Sequence, residues 1–78
     1  MNQKIEDVIR EQFPQARFDP NDPHLGVGSF PEWDSLGTFN LLLLIEQTYG
    51  VRFSTEEMAE LKTVAAIRER LTKLGMNA

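Results

Sequence analysis

The sequence predicts an all-α fold, a small bundle of three main helices plus one short helix, with a long loop between the first and second helices. Apolar residues recur at the three- and four-residue spacing of amphipathic helices, and no pair of segments shows the alternation typical of paired strands. All four prolines fall between residues 14 and 31, which leaves the stretches on either side free to form helices. A chain of 78 residues has room for one core, so we predict a single domain over residues 1–78.

The first helix is predicted over residues 3–13, and Pro14 ends it. Its apolar residues share one face: Ile5, Val8, Ile9 and Phe13. Residues 14–33 are predicted to form a loop, since prolines and glycines are concentrated there. Loops longer than about 12–15 residues are uncommon in compact domains and are often functional.

The second helix is predicted over residues 35–49. Asp34 is suited to cap its start, because a carboxylate there accepts from an unpaired backbone N–H, and Gly50 is suited to end it. Apolar residues cover more than half of the circumference, which predicts burial on several sides or an apolar stripe left for partners. These residues are Leu36, Phe39, Leu41, Leu42, Leu43, Leu44, Ile45 and Tyr49.

A short third helix is predicted over residues 55–61 and a fourth over residues 64–74. Ser54 and Glu57 match a capping box, in which each side chain accepts a hydrogen bond from the other residue's backbone N–H. Thr63 is suited to cap the fourth helix. One apolar stripe runs along that helix: Val64, Ile67, Leu71 and Leu74.

The composition narrows the classes of function. Twelve acidic and eight basic residues give a formal net charge of −4, which disfavours nucleic acid as a partner. There is no cysteine and a single histidine, so we expect neither disulfides nor a bound metal. The longest apolar run, residues 41–45, is too short to cross a bilayer. We therefore expect no membrane insertion and a cytoplasmic protein.

The triplet Asp34-Ser35-Leu36 carries the chemical signal, at the junction of the long loop and the second helix. A serine at a rigid helix start beside a loop is both held in place and accessible. A modifying enzyme could therefore attach a group to the Ser35 hydroxyl without disturbing the core. The alternative, commoner across proteins, is that Ser35 only caps the helix.

In this setting the chain resembles the acyl carrier protein family, whose prosthetic group is attached at an Asp-Ser-Leu triplet that opens the second of four helices. The triplet alone is a weak signal, and the matching order of helices and loop makes it a strong one. Further shared positions are Thr38, Leu41 to Ile45, Glu46, Tyr49, Phe53, Glu56-Glu57, Leu61 and Thr63-Val64.

The resemblance implies that a phosphopantetheinyl transferase moves 4′-phosphopantetheine from coenzyme A to Ser35, with Asp34 and Leu36 around the attachment point. The thiol of this cofactor would carry an acyl or aminoacyl group as a thioester. The implied partners are the transferase, an ATP-dependent acyl or aminoacyl ligase, and downstream acyl-transferring enzymes. No histidine or lysine adjoins Ser35, so its activation would belong to the transferase. We expect a monomeric carrier that is not an enzyme and has no catalytic residue.

In the family, the side of the second helix near the prosthetic group faces partner enzymes. Leu36, Phe39 and Leu43 are the matching positions, here called the Leu36 stripe, and Glu46 is the acidic residue that remains beside them. Core packing is the alternative for the Leu36 stripe. We favour the partner role because an adjacent stripe already supplies the core: Leu41, Leu44, Ile45 and Tyr49.

The second helix also departs from the family pattern. Carriers of fatty acid synthesis have a Leu-Gly before the triplet, where this chain has Pro31-Glu32-Trp33, and carboxylates along the helix. The residues that replace such carboxylates are Gly37, Asn40, Gln47 and Thr48. Their neutrality should weaken electrostatic steering by fatty-acid-synthase enzymes. The run from Trp33 to Thr38 looks more like specialised stand-alone carriers or D-alanyl carriers, so aminoacyl, hydroxyacyl and short acyl cargo all stay open.

Two expectations concern the interior. Trp33 is expected to pack over one end of the second helix, and direct contact with cargo or transferase is the alternative. Family members can hold an acyl chain between their helices, and we expect the matching positions here to form a filled core instead. These positions are Leu41, Ile45, Tyr49, Phe53, Met58, Leu61 and Ile67.

Other candidate signals are weak. His24 lacks convergent metal ligands, and Gly26-Val27-Gly28 lacks the third glycine and preceding strand of a dinucleotide loop. Glu56 and Glu57 would point in different directions on a helix. One rival function is an unmodified helical protein–protein interaction module that uses the Leu36 stripe. Another is a small enzyme subunit, which the missing cluster of acid, base and nucleophile disfavours.

Overall fold

A computed structural model describes residues 4–76 and contains four helices. They are α1 (Ile5–Gln12), α2 (Ser35–Tyr49), α3 (Thr55–Glu60) and α4 (Val64–Lys73). The predicted all-α fold class, with three main helices and one short one, is confirmed. Between residues 4 and 76 the extended pairing is limited to an isolated bridge that joins Gly26 to Thr63. None of the four helices has the length and apolar composition that a membrane span requires.

The predicted first helix, residues 3–13, is too long. Residue 3 lies outside the described residues, and Lys4 is extended at φ −81° and ψ 153°, so α1 begins at Ile5. At the other end Phe13 has left the helix, at φ −126° and ψ 70°. The reason is Pro14, whose ring disfavours helical backbone in the residue before it.

The third and fourth helices each end one residue earlier than predicted. Leu61 leaves α3 at ψ 72°, which buries its side chain in the core and turns the chain toward the long loop. Leu74 ends α4 at ψ 5°, and Gly75 follows with a positive φ of 83° that accommodates the reversal. The bounds of α2 agree with the prediction.

The core lies between α1, α2 and α4. Helix α2 packs along α1, and the predicted face of α4 closes the other side. The side chains that are fully buried there are Ile5, Val8 and Ile9 from α1, Leu41, Leu42 and Ile45 from α2, and Ile67 and Leu71 from α4. Burial of this apolar surface, at roughly 25 cal/mol per Å², is the main source of stability in a chain without disulfides.

The predicted helix caps are formed. The side chains of Asp34, Ser54 and Thr63 each accept a hydrogen bond from the backbone N–H three residues further on, at 2.8, 3.1 and 3.1 Å respectively. Gly50 ends α2 in the left-handed conformation, at φ 69° and ψ 34°. These caps place both ends of α2 by local interactions.

The long loop is anchored by an aromatic cluster. Trp33 is fully buried and its indole Nε1–H donates to the hydroxyl of Thr38 at 2.9 Å. Its ring stacks on Phe13 with centroids 5.7 Å apart, and Phe30 completes the cluster. The prediction that Trp33 packs over one end of the second helix is confirmed, and its burial leaves no surface for direct contact with cargo or transferase.

The same loop is joined to the segment before α4 by two backbone hydrogen bonds. The N–H of Val27 donates to the carbonyl of Lys62 at 2.8 Å, and the N–H of Val64 donates to the carbonyl of Leu25 at 2.9 Å. Gly26 lies between them so close to the Lys62 carbonyl oxygen that a Cβ atom would overlap it. We call this contact the 25–64 bridge.

Two ion pairs among the described residues join α4 to α3 and to α1. Arg70 of α4 bonds the Glu57 carboxylate of α3 at 2.6 Å, and this hydrogen bond is the main cause that lowers the pKa of Glu57. Arg68 of α4 meets Glu6 of α1 at 3.3 Å. Nearby, burial and then the charge of Glu6 raise the pKa of Tyr49.

Candidate functional site

Ser35 is the first residue of α2 and is exposed to solvent. The preceding Asp34 accepts from the N–H of Gly37 at 2.8 Å, so the cap of α2 comes from Asp34. The Ser35 hydroxyl makes no hydrogen bond with any of residues 4–76. The side chain is therefore held at a rigid helix end while its hydroxyl stays available.

The other serines have structural roles. The Ser29 hydroxyl accepts from the backbone N–H of Gly26 at 2.9 Å, inside the long loop. The Ser54 hydroxyl caps α3. Of the three serines in the sequence, Ser35 alone presents a hydroxyl without a hydrogen-bond partner in the described chain. The interpretation of Ser35 as a capping residue is not supported, since Asp34 has that role.

A cleft of about 410 Å³ opens beside Ser35, between the long loop, α2 and α3. We call it the Ser35 cleft. Its walls are mainly apolar, and among residues 4–76 Lys62 is the one ionisable side chain that lines it. The lining residues are Val27, Ser35, Thr38, Phe39, Thr55, Met58, Ala59 and Lys62.

On the opposite side of the α2 start a second, more polar cleft of about 430 Å³ brings Asp34 and Leu36 together with the end of α1. Gly37 forms part of its wall and is itself buried. A Cβ atom at Gly37 would overlap the Glu32 carbonyl oxygen and lie 3.2 Å from the Phe13 ring. This glycine thus has a packing role that the sequence comparison with acidic carriers did not reveal.

The Leu36 stripe is uncovered in the structure. Leu36, Phe39 and Leu43 keep 68%, 48% and 36% of their surface exposed. In the adjacent stripe Leu41 and Ile45 are fully buried, whereas Leu44 and Tyr49 are only partly buried. Core packing, the alternative weighed for the Leu36 stripe, does not account for it. Contact with a partner is a prediction for these residues.

Glu46 has a structural contact that sequence reasoning missed. One oxygen of its carboxylate accepts from the backbone N–H of Phe53 at 2.7 Å, which ties the end of α2 to the segment before α3. Glu46 is also the single charged residue in α2. All exposed side chains of α2 are therefore uncharged: Ser35, Leu36, Phe39, Asn40, Leu43 and Gln47.

The weaker candidates do not converge on a second site. Within residues 4–76, acidic, histidine and cysteine side chains form no group that could hold a metal ion. His24 is exposed in the long loop. Glu57 is engaged by Arg70 and by the α3 cap. The glycines at 26 and 28 belong to the 25–64 bridge and to a positive-φ turn.

Comparison with known families shows the family to which the chain belongs. A family model described as a phosphopantetheine attachment site matches residues 3–71, which include Ser35 and most of α4. The chain belongs to the phosphopantetheine attachment site family. No curated protein and no solved structure matches the chain.

The residues of this phosphopantetheine attachment domain fit the cofactor of the family, 4′-phosphopantetheine. An acceptor serine must be accessible and not engaged within the fold, and Ser35 meets both conditions. The Ser35 cleft provides apolar surface next to it. When bound, the cofactor supplies a thiol on a long flexible arm.

Sequence reasoning located the start of α2 at Ser35 and missed most of the Ser35 cleft. Asp34, Ser35 and Leu36 are adjacent in the chain and mark the start of α2 by themselves. The remaining walls come from the loop, from α3 and from the residue after α3, and the 25–64 bridge brings these segments together. No local pattern in the sequence predicts such a contact between distant segments.

Proposed function

We propose that Ser35 is the residue to which 4′-phosphopantetheine is attached, and that the chain carries an acyl or aminoacyl intermediate as a thioester on that group. The observation that carries this proposal is the unengaged hydroxyl of Ser35 at the capped start of α2. The chain belongs to a family that is defined by phosphopantetheine attachment, which gives this hydroxyl its meaning. Members of this family are typically carriers without catalytic activity of their own.

Attachment of phosphopantetheine to Ser35 requires one bond to form and one bond to break at phosphorus. Its oxygen forms a bond to the phosphorus that bears pantetheine in coenzyme A, the pyrophosphate bond breaks, and adenosine 3′,5′-bisphosphate leaves. The serine proton must pass to a base. Among residues 4–76 neither a histidine nor a carboxylate lines the Ser35 cleft, and the neighbouring Asp34 carboxylate is engaged in the cap of α2. This arrangement supports a transferase as the source of base and magnesium. This chain contributes the position of the Ser35 hydroxyl.

The Leu36 stripe is the surface we propose for partner enzymes. Its three apolar side chains are exposed beside the attachment point, as expected of anchors that enter a groove on a partner. We propose the transferase, an ATP-dependent acyl or aminoacyl ligase and downstream acyl-transferring enzymes as its partners. Glu46 lies further along α2 and could add a polar contact at the rim.

The uncharged surface of α2 supports a specialised pathway over bulk fatty acid synthesis. Complementary charges mainly raise association rates and select partners, and the exposed residues of α2 offer none. We propose aminoacyl, hydroxyacyl or short acyl groups as cargo and the cytoplasm, where coenzyme A is available, as the location. A monomer suits this role because Ser35 must reach several large enzymes.

The exposed Leu36 stripe also favours a second candidate, an unmodified helical module that binds a partner protein. The two functions differ in one property. A carrier must accept the cofactor on Ser35, whereas an interaction module need not.

Modification by a broad-specificity phosphopantetheinyl transferase separates them. The folded protein is incubated with coenzyme A, Mg²⁺ and the transferase, and its intact mass is measured. We expect the mass of one phosphopantetheine to be added to the wild type and to Ser54→Ala, and none to Ser35→Ala. No addition to the folded wild type with several transferases would favour the interaction module.

A further inference from the structure

Lys62 lines the Ser35 cleft, 27 positions after Ser35 in the chain. Its place is set by its backbone, because its carbonyl accepts from Val27 at 2.8 Å in the 25–64 bridge. The close approach of Gly26 permits this contact. The side chain of Lys62 extends from a fixed point and is exposed.

The charge of Lys62 is not used by the fold. The ion pairs among residues 4–76 involve Arg10, Arg68, Arg70 and Lys73, and Lys62 is in none of them. Among residues 4–76 no acidic side chain lines the Ser35 cleft, and Asp34 lines a neighbouring cleft that Ser35 also borders. The Ser35 cleft thus combines mainly apolar walls with one positive charge that has no acidic partner in its lining, in a protein whose net charge is −4.

We propose that the Ser35 cleft holds the phosphopantetheine arm against the protein surface, with the Lys62 ammonium group paired to the phosphodiester. This inference rests on attachment at Ser35. A phosphodiester carries one negative charge directly next to the serine oxygen, and Lys62 lines the same cleft as that serine. Val27, Phe39 and Met58 offer apolar contact to the methyl groups and methylenes of pantetheine.

The volume of the Ser35 cleft limits the size of the cargo that can lie in it with the arm. Its volume, about 410 Å³, is near the lower end of the roughly 300–1,000 Å³ of small-molecule sites. Between the helices, Leu41, Ile45 and Ile67 are fully buried and pack in one apolar core. We therefore infer that the cargo is a short acyl or aminoacyl group kept at the surface with the arm.

Isotope-edited NMR on the loaded protein tests this arrangement. With ¹³C and ¹⁵N in the protein and an unlabelled arm on Ser35, we expect nuclear Overhauser contacts from the pantetheine methyl groups to Phe39, Met58 and Val27. Lys62→Gln should weaken these contacts about two- to fivefold, the change that corresponds to loss of one exposed ion pair. Lys73→Gln, whose side chain is also exposed but lies on α4, should leave them unchanged.

A second variant tests the apolar wall without touching the core. Ala59 is exposed and lines the cleft, so Ala59→Glu should fold normally and place a negative charge where the arm lies. We expect the contacts of the pantetheine methyl groups to disappear from this variant when it is loaded.

The outcomes separate the two proposals. If intact mass shows that Ser35 is loaded but no contact reaches Phe39 or Met58, the arm is free in solution and the cleft proposal is wrong. Contacts of unchanged intensity in Lys62→Gln would overturn the role of Lys62. If the mass shows no loading at all, attachment at Ser35 fails, and the cleft proposal falls with it.

Discussion

Two adjacent residues at the start of α2 have separate tasks. The Asp34 carboxylate receives the N–H of Gly37, so it satisfies the helix end and orients the first turn. Ser35 is exposed and has no hydrogen-bond partner within residues 4–76. Because the residue that caps α2 and the residue proposed for attachment are different, each can be changed without the other.

Stability and modification should therefore respond differently to substitution. Ser35→Ala is expected to change the free energy of unfolding by no more than about 0.5 kcal/mol, as for other exposed sites, while it abolishes modification. Asp34→Ala should cost about 0.5–2 kcal/mol through loss of the cap. Urea unfolding followed by circular dichroism measures both. A loss above about 2 kcal/mol in Ser35→Ala would show that the serine is mainly a cap.

Trp33 joins the loop to α2 through one buried hydrogen bond. Its indole N–H donates to the Thr38 hydroxyl, which in turn donates to the Asp34 carbonyl at 2.8 Å. Trp33→Phe removes the donor and part of the ring, and we expect a loss of about 1–3 kcal/mol in unfolding free energy. In a double-mutant cycle with Thr38→Val, measured by urea unfolding, the two losses should be less than additive. Strict additivity would mean that this bond does not couple the loop to α2.

At the scale of elements, α2 is apolar on most sides for two different reasons. Leu41, Leu42 and Ile45 fill the core, whereas Leu36 and Phe39 stay at the surface. The sequence predicted this division only in part, because a run of consecutive leucines has no helical periodicity. The packing of α1 and α4 decides which side of α2 is covered.

Neighbouring leucines give a direct test of that division. Leu43 is 36% exposed, while Leu42 is fully buried. We expect Leu43→Asp to keep the fold, with an unfolding free energy within about 1 kcal/mol of the wild type. Leu42→Asp should lose several kcal/mol, because it buries a carboxylate without a partner. If thermal unfolding shows equal losses in the two variants, Leu43 belongs to the core and the proposed partner surface is wrong.

The contact between α3 and α4 should depend on pH. Arg70 and the α3 cap lower the pKa of Glu57 below its ordinary value of 4.5. A lowered carboxyl pKa means that the contribution to stability is present above that value and is lost as the pH falls through the folded-state pKa. Glu57→Gln keeps a residue that fits the capping box but cannot form the ion pair.

We therefore expect wild type and Glu57→Gln to differ in thermal stability near neutral pH and to converge as the pH falls below 4.5 and through the folded-state pKa of Glu57. Melting temperatures over this range measure the convergence. Glu56→Gln, an exposed neighbour, is the matched control and should follow the wild type. A constant gap between wild type and Glu57→Gln across the range would contradict the role of the charge.

At the scale of the whole molecule, the 25–64 bridge assembles the site from distant segments. Gly26 approaches the backbone of Lys62 and Thr63 more closely than any side chain allows. Gly26→Ala should separate the loop from the start of α4 and cost about 1–3 kcal/mol in urea unfolding, as overpacking does. Hydrogen exchange of the Val27 N–H should become faster. Unchanged exchange at Val27 would show that the bridge does not hold the loop in place.

The bridge also marks the limit of what could be predicted. Helix caps at Asp34, Ser54 and Thr63 depend on residues three positions apart, so the sequence contains the whole signal. Lys62 at the Ser35 cleft and the contact of Glu46 with Phe53 depend on how helices pack. Contacts between separate elements have no local pattern, which is why the start of α2 at Ser35 was predicted and the walls of the Ser35 cleft were not.

The central claim is that one particular serine accepts the cofactor, and tandem mass spectrometry of the modified wild-type protein tests it most directly. After modification with coenzyme A, Mg²⁺ and a phosphopantetheinyl transferase, the protein is digested and the modified peptide is fragmented. The structure predicts that the whole added mass lies on Ser35, because the hydroxyls of Ser29 and Ser54 are engaged within the fold. Phosphopantetheine found on Ser29 or Ser54, with Ser35 unmodified, would contradict the account.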